Sequence, residues 1–252
     1  MNEIHPFRMG QCQVGLVGNP KGYVLIDAGF PGTLASFLKA LKRLGAAPKD
    51  VRAIVITHVH YDHLGCLASI LALSGADVLV HAAEAEVLKT GSTPLPCGTN
   101  PLARAIVSAF GGFAPKEHPE RGVVPTIIVE GEFDLSCFGV QGKIIPTPGH
   151  TAGSVSVILD SGDAFVGDAA TNMPGLNRRS VFPPFADDPA ALFLSWEKLL
   201  ETGAETFRPA HGAPFDRKKL VASRDGFPWA RITNRSSCRE DGSKPNSGET
   251  FQ

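Results

Sequence analysis

The chain has 252 residues, of which 43% are hydrophobic and 19% are charged, a balance typical of an ordinary soluble globular protein. Its 24 basic residues are matched by 25 acidic ones, which argues against a nucleic-acid partner because phosphate binding needs a basic surface. The most apolar stretch, residues 64–73, is too short to cross a bilayer and the N-terminus lacks an apolar signal region, so we expect a cytoplasmic protein without a membrane partner.

The first part of the chain alternates predicted strands with predicted helices. Apolar runs bounded by turn residues predict strands at residues 12–17, 22–27 and 51–57. Leucines at helical spacing predict a helix between the second and third of these strands. A further helix is predicted from residue 63 to Gly75, with Asp62 as its N-cap.

Residues 90–125 differ in character, with Gly and Pro recurring around one predicted helix at residues 101–110. We interpret this segment as a lid-like insertion. Beyond it, strands are predicted in TIIVE, KIIP, SVSVILD and DAFVGD, and an amphipathic helix in PAALFLSWEKLLETG. Residues 1–216 are therefore predicted to form one domain of two sheets with helices outside, and the polar residues 217–252 a largely disordered tail.

One stretch, THVHYDHLG at residues 57–65, places three of the eight histidines directly after a predicted strand. Residues at i and i+2 of an extended segment point the same way, so His58 and His60 can reach one metal ion together. Asp62 and His63 lie beyond the bend and would reach a second position. The carboxyl ends of strands are also where α/β folds usually place their sites.

Three more candidate ligands stand in loops that follow predicted strands. They are His150 in TPGHTAGS, Asp168 in FVGDAA and His211 in RPAHGAP. Each alone is compatible with a structural role. Together with the histidine-rich stretch they predict a metal site.

The strings HVHYDH, PGH, GD and a late AHG resemble the metallo-β-lactamase superfamily over residues 12–215. The resemblance implies an α/β fold, a four-layer αββα sandwich of two mixed β-sheets flanked by helices, with two metal ions at one edge. It assigns His58, His60 and His150 to the first ion, Asp62, His63 and His211 to the second, and Asp168 to both. Five imidazoles and two carboxylates suit zinc, with iron or manganese as alternatives.

A site of this kind implies hydrolysis by a metal-bridging hydroxide, because two metal ions lower the pKa of the water they bind. We interpret Asp62 as a general base or proton shuttle in addition to a ligand. Asp27, after the second predicted strand, is interpreted as a hydrogen-bond partner of a ligand histidine, with the closing of a turn as the alternative.

The ligand set contains no cysteine, and a bridging aspartate is typical of the thioesterases, lactonases and nucleases of the family. We therefore predict a hydrolase of a small ester, lactone or thioester. A homodimer is compatible with this prediction. The alternative is an iron-dependent redox enzyme that resembles persulfide dioxygenases. A β-lactamase, a phosphodiesterase and a non-catalytic binding module rank below these two.

Two segments are candidates to line the substrate pocket. Phe110 and Phe113 of the insertion would form an apolar wall, with packing onto the sandwich as the alternative. Arg178 and Arg179 are candidates to bind a carboxylate or phosphate, with a solvated loop as the alternative. The five cysteines are scattered without a CxxC pair, which predicts reduced thiols.

Overall fold

The computed structural model describes residues 2–92, 97–110, 122–175 and 180–227, with the side chains of Ile106 and Phe110 excepted. The strands are β1 (Glu3–Met9), β2 (Cys12–Asn19), β3 (Gly22–Ile26), β4 (Val51–Val55), β5 (Asp77–His81), β6 (Ile127–Val129), β7 (Phe133–Asp134), β8 (Gly142–Pro146), β9 (Val155–Leu159), β10 (Asp163–Gly167), β11 (Thr206–Pro209) and β12 (Phe215–Asp216). The helices are α1 (Leu34–Arg43), α2 (Tyr61–Leu64), α3 (Leu67–Ser74), α4 (Ala82–Thr90), α5 (Pro101–Phe110), α6 (Pro189–Glu201) and α7 (Arg217–Asp225).

These strands form two six-stranded sheets, both of them mixed. The first has the order β1-β2-β3-β4-β5-β6, antiparallel from β1 to β3 and parallel from β3 to β6. The second has the order β12-β11-β10-β9-β8-β7, in which only β10 and β11 are parallel. Each sheet is built from one half of the chain.

Buried apolar side chains form three layers between these elements. Helices α1 and α3 pack on the first sheet around Phe37 and Ile70. The two sheets face each other across a cluster that includes Val157 and Phe165. Helices α6 and α7 pack on the second sheet around Trp196. The predicted four-layer αββα sandwich is confirmed.

Strand β1 was not predicted from the sequence. Its residues, EIHPFRM, mix polar and apolar side chains and include Pro6, which cannot donate a backbone hydrogen bond. The strand lies at the edge of the first sheet and pairs only with β2, a position where proline is tolerated.

The single helix predicted from residue 63 to Gly75 is wrong, since the structure has two helices, α2 and α3. The break falls at Gly65, which the loop between β3 and α1 contacts closely. A Cβ added to Gly65 would lie 2.1 Å from the Pro31 nitrogen. The predicted cap is also wrong. Asp62 lies in the first turn of α2, and the N-cap is His60.

The domain continues beyond residue 216, where the sequence prediction ended it. Asp216 caps α7 by accepting a hydrogen bond from the Lys219 backbone nitrogen at 2.9 Å. Leu220 of this helix is completely buried and Val221 packs against the same cluster, so apolar side chains tie a mostly polar segment to the core. The predicted tail beyond residue 227 lies outside the described residues.

Two further expectations concern the membrane and the cysteines. Across the described ranges, no helix is both long enough and apolar enough to cross a membrane. Among the described residues, Cys12, Cys66, Cys97 and Cys137 form no disulfide. Cys238 lies outside the part of the chain that the structure describes.

Candidate metal centre

The seven candidate ligands lie together at one edge of the sandwich. His58 and His60 lie in the loop after β4, and Asp62 and His63 lie in the short helix α2 that follows. The second sheet supplies the other three from loops after β8, β10 and β11, namely His150, Asp168 and His211. Both sheets therefore contribute to the same site.

His58, His60 and His150 form the first group of potential ligands. One ligand atom of each lies within 4.8 Å of the others. The Nδ1 atom of His60 lies 3.0 Å from Nε2 of His150. All three side chains are buried, so the group is withdrawn from bulk water.

Asp62, His63 and His211 form the second group, with ligand atoms again within 4.8 Å of one another. Asp168 faces both groups. Its Oδ2 atom lies 3.5 Å from Nε2 of His211 and 3.6 Å from Nε2 of His150. Its Oδ1 atom lies 3.9 Å from Nε2 of His63. One carboxylate thus lies between two triads of side chains.

Three of these inward-facing atoms are buried and have no hydrogen-bond partner among the described residues. They are Nε2 of His58, Nε2 of His63 and Oδ1 of Asp168. Buried polar atoms are normally paired, because an unsatisfied one costs about 1–3 kcal/mol. Imidazole nitrogens converging with a carboxylate oxygen are the donor set that a divalent transition metal accepts, so these residues fit a metal centre.

The opposite nitrogens of the same imidazoles are anchored by hydrogen bonds. His63 donates from Nδ1 to the Asp27 carboxylate at 2.9 Å, and His150 donates from Nδ1 to the Phe185 carbonyl at 2.9 Å. Thr57 Oγ1 lies 3.1 Å from Nδ1 of His58. Such bonds fix the ring orientation and leave Nε2 free to bind a metal.

Asp27 is buried and serves two partners at once. One oxygen accepts the Thr57 backbone N–H at 2.9 Å, and both oxygens lie within 3.0 Å of the Thr57 hydroxyl. Its φ of 64° is unusual for a residue other than glycine, and aspartate tolerates it better than most side chains. The structure thus places Asp27 against His63, one of the candidate ligands.

The charges of the second group reinforce one another. Burial opposes a charge on His63, but Asp27 and Asp62 outweigh it and raise the pKa of His63 to about 10. Burial would likewise raise the pKa of the Asp62 carboxyl, yet His63 and His211 hold that pKa well below its usual range. The second group is therefore a charged cluster in which Asp62 stays ionised.

The first group has the opposite character. Burial is the main reason why the pKa values of His58 and His60 lie well below that of a free histidine, and the neighbouring imidazoles lower them further. Both rings are neutral at physiological pH. A metal ion needs this form of the ligand.

The sequence analysis assigned no role to several residues around the site. Thr57, described above, and Glu84 are both buried next to it. Phe30 and Tyr61 contact each other edge to face, with ring centroids 5.1 Å apart, and Tyr61 is 42% exposed beside Asp62.

The predicted pocket residues cannot be placed against these side chains. Phe113, Arg178 and Arg179 lie outside the described residues. Phe110 is the last residue of α5, and the position of its side chain is also outside the description.

Comparison with known proteins identifies the family of the chain. The family model described as the metallo-beta-lactamase superfamily matches residues 8–211. A probable metallo-hydrolase of Bacillus subtilis is 27% identical over 228 residues, which cover 82% of this chain and 81% of the relative. The metallo-beta-lactamase domain-containing protein 1 of Rattus norvegicus is 29% identical over 88% of this chain and 75% of its own length.

Two solved structures share the fold. A metallo-beta-lactamase superfamily protein of the archaeon Sulfolobus tokodaii superposes with a TM-score of 0.62 at 23% identity, covering 98% of this chain and 91% of its own. The protein TTHA1623, solved in a di-iron-bound form, gives a TM-score of 0.61 at 25% identity, covering 89% of this chain and 99% of its own.

Proposed function

Because the chain belongs to the metallo-β-lactamase superfamily, and a relative named above is a probable metallo-hydrolase, we propose that it is a dinuclear hydrolase of a small ester, lactone or thioester. The observation that carries the proposal is the set of buried ligand atoms without hydrogen-bond partners among the described residues, on His58, His63 and Asp168. These atoms face inward from both sheets. A metal ion would satisfy them at once.

The proposal assigns each ligand to one of two divalent ions. His58, His60 and His150 would hold the first ion, Asp62, His63 and His211 would hold the second, and Asp168 would serve both. When bound, such a pair of ions activates a water molecule and stabilises the negative charge that develops on a substrate oxygen. We favour zinc from the donor set, with iron and manganese as alternatives.

Asp62 has a second role in this proposal. Its side chain is 16% exposed, so it reaches the open side of the site. We assign it the role of general base or proton shuttle, in which its carboxylate would accept a hydrogen bond from the attacking water and take up its proton.

The proposed substrate is a small molecule with an electrophilic carbonyl. The edge-to-face pair of Phe30 and Tyr61, the latter next to Asp62 in the chain, is our candidate for an aromatic surface that would bind an organic acyl group. The near balance of basic and acidic residues supports a partner other than nucleic acid. The proposal includes the cytoplasm as the compartment and is compatible with a homodimer.

The test is hydrolysis by zinc-loaded and manganese-loaded protein across lactones, thioesters, phosphodiesters and β-lactams. We expect turnover confined to the lactones or thioesters and lost in Asp168→Ala. Asp160→Ala, which removes an exposed carboxylate after β9, is the matched control and should keep full activity. Turnover of phosphodiesters or β-lactams alone would contradict the proposed substrate class.

The iron-dependent redox enzyme is the second candidate. The di-iron-bound form of TTHA1623 favours it, because that protein is 25% identical and covers 89% of this chain. Metal analysis of protein purified without added metal separates the two candidates. Bound iron together with oxygen consumption would favour the redox enzyme, and colourless zinc protein with hydrolytic turnover would favour the hydrolase.

A further inference from the structure

Glu84 is a buried carboxylate close to the candidate metal centre that is not one of its ligands. It lies in the first turn of α4 and is only 6% exposed. Among the described residues it forms no ion pair. Charged side chains are rarely buried without a partner, so its contacts must explain its position.

Its two oxygens bind the backbone of two different loops. One oxygen accepts the N–H of Val59 at 3.1 Å, and Val59 stands between His58 and His60. The other accepts the N–H of Gly153 at 3.1 Å, in the loop that carries His150. Glu84 thus bridges the two segments that provide the first group of ligands.

Gly153 allows this bridge to be short. A Cβ at that position would lie 2.4 Å from Cγ of Glu84, so any larger residue would push the carboxylate away. The loops are also joined directly, since Val155 donates its N–H to the Thr57 carbonyl at 2.8 Å. Glu84 adds a second connection between the same two loops, through Val59 and Gly153.

We propose that Glu84 is a positioning residue for the first metal ion, setting the separation between the His58–His60 segment and the His150 loop. The inference rests on the proposed metal centre. The residues of the second group, Asp62, His63 and His211, receive no hydrogen bond from it. Its effect is therefore confined to one of the two ions.

A carboxylate is needed because both partners are donors. Glutamine at this position keeps the size of the side chain but turns an NH₂ group towards one of the two N–H groups, so one loop loses its acceptor. Partners of this kind, which orient metal ligands from behind, typically contribute 10–100-fold to metal affinity. We expect a loss of that size at the first ion only.

The test is Co²⁺ titration of the metal-free full-length protein, followed by visible absorption against a competing chelator. Wild type is expected to bind two ions. In a His211→Ala background, which keeps the first group, Glu84→Gln should weaken the remaining ion about 10–100-fold. In a His150→Ala background, which keeps the second group, it should leave the affinity unchanged.

Two further variants accompany Glu84→Gln, one as a control and one as an independent test. Glu86→Gln makes the same chemical change on an exposed side chain of α4, paired only with Lys89 at the surface, and should alter neither ion. Gly153→Ala displaces the carboxylate without removing it and should show the same selectivity as Glu84→Gln.

Each outcome separates the inference from the proposed function. Equal weakening in both backgrounds would show a general structural role, and unchanged affinity in the His211→Ala background would show no role. Either result overturns the inference and leaves the dinuclear hydrolase standing. Wild-type protein that binds no Co²⁺ would overturn both.

Discussion

The exchange Asp27→Asn isolates the contact that orients His63. The amide oxygen of the new side chain can keep both bonds to Thr57, since Oδ1 of Asp27 lies 2.9 Å from the Thr57 backbone nitrogen and 3.0 Å from its hydroxyl. Asparagine also tolerates the φ of 64°. The change therefore falls on the other oxygen, which accepts from Nδ1 of His63 at 2.9 Å and also lies 2.9 Å from the Thr57 hydroxyl.

An amide NH₂ in that place donates to Nδ1 instead of accepting from it. Metal binding requires the neutral form of His63, which carries only one N–H, and in the variant that hydrogen would sit on Nε2, the atom that faces the site. A hydrogen bond to a charged group contributes about 1.5–3 kcal/mol. At about 1.4 kcal/mol per factor of ten, we expect the second ion to bind about 10–100-fold more weakly, with the first ion unaffected.

Calorimetric titration of the metal-free variant with Zn²⁺ measures both affinities. Asp50→Asn is the matched control, because Asp50 also accepts a backbone N–H, from Ala47 at 2.8 Å, but lies at the opposite end of β4. Unchanged binding of both ions in the Asp27→Asn variant would refute the assignment of Asp27 as the residue that sets the His63 tautomer. Equal weakening of both ions would show a general loss of structure.

Three further predictions concern stability. If the free metal concentration is 100 times the Kd of each ion, removing the metal with a chelator should lower the melting temperature by about 5–10 °C per ion. An unchanged melting temperature would contradict the metal centre. Leu220→Ala should cost about 2–5 kcal/mol in urea denaturation, because the side chain is completely buried. A cost below about 0.5 kcal/mol, the size of a surface substitution, would show that α7 is not part of the core. Gly212→Ala should cost at least about 1 kcal/mol, since φ is 106° and the new Cβ would lie 2.1 Å from the Asn172 backbone. A neutral result in the same assay would show that the loop after His211 moves freely.

The elements that could be predicted from sequence are those with a local pattern. Strand β4 is apolar except at Arg52, and helix α6 repeats its apolar residues at helical spacing. The candidate ligands could be predicted for the same reason, because each lies shortly after a strand with a local apolar pattern. Strand β1 lacked the pattern, since an edge strand that contains Pro6 has no reason to alternate clearly.

Features that depend on distant parts of the chain could not be predicted. Glu84 binds Val59 and Gly153 at separations of 25 and 69 residues, so nothing in its own segment marks it. The break at Gly65 arises from the packing of the loop around Pro31, which helix periodicity does not report. Both features belong to tertiary packing.

The arrangement of the site also determines what a metal ion would do to the fold. The first group takes His58 and His60 from one sheet and His150 from the other, and the second group is divided between the sheets in the same way. Each proposed ion would therefore join the two sheets. Asp27 and Glu84 bind the ligand segments from behind through hydrogen bonds that involve no ion. Because the ions would bind the folded edge and not the separated segments, metal affinity and folding stability should rise and fall together.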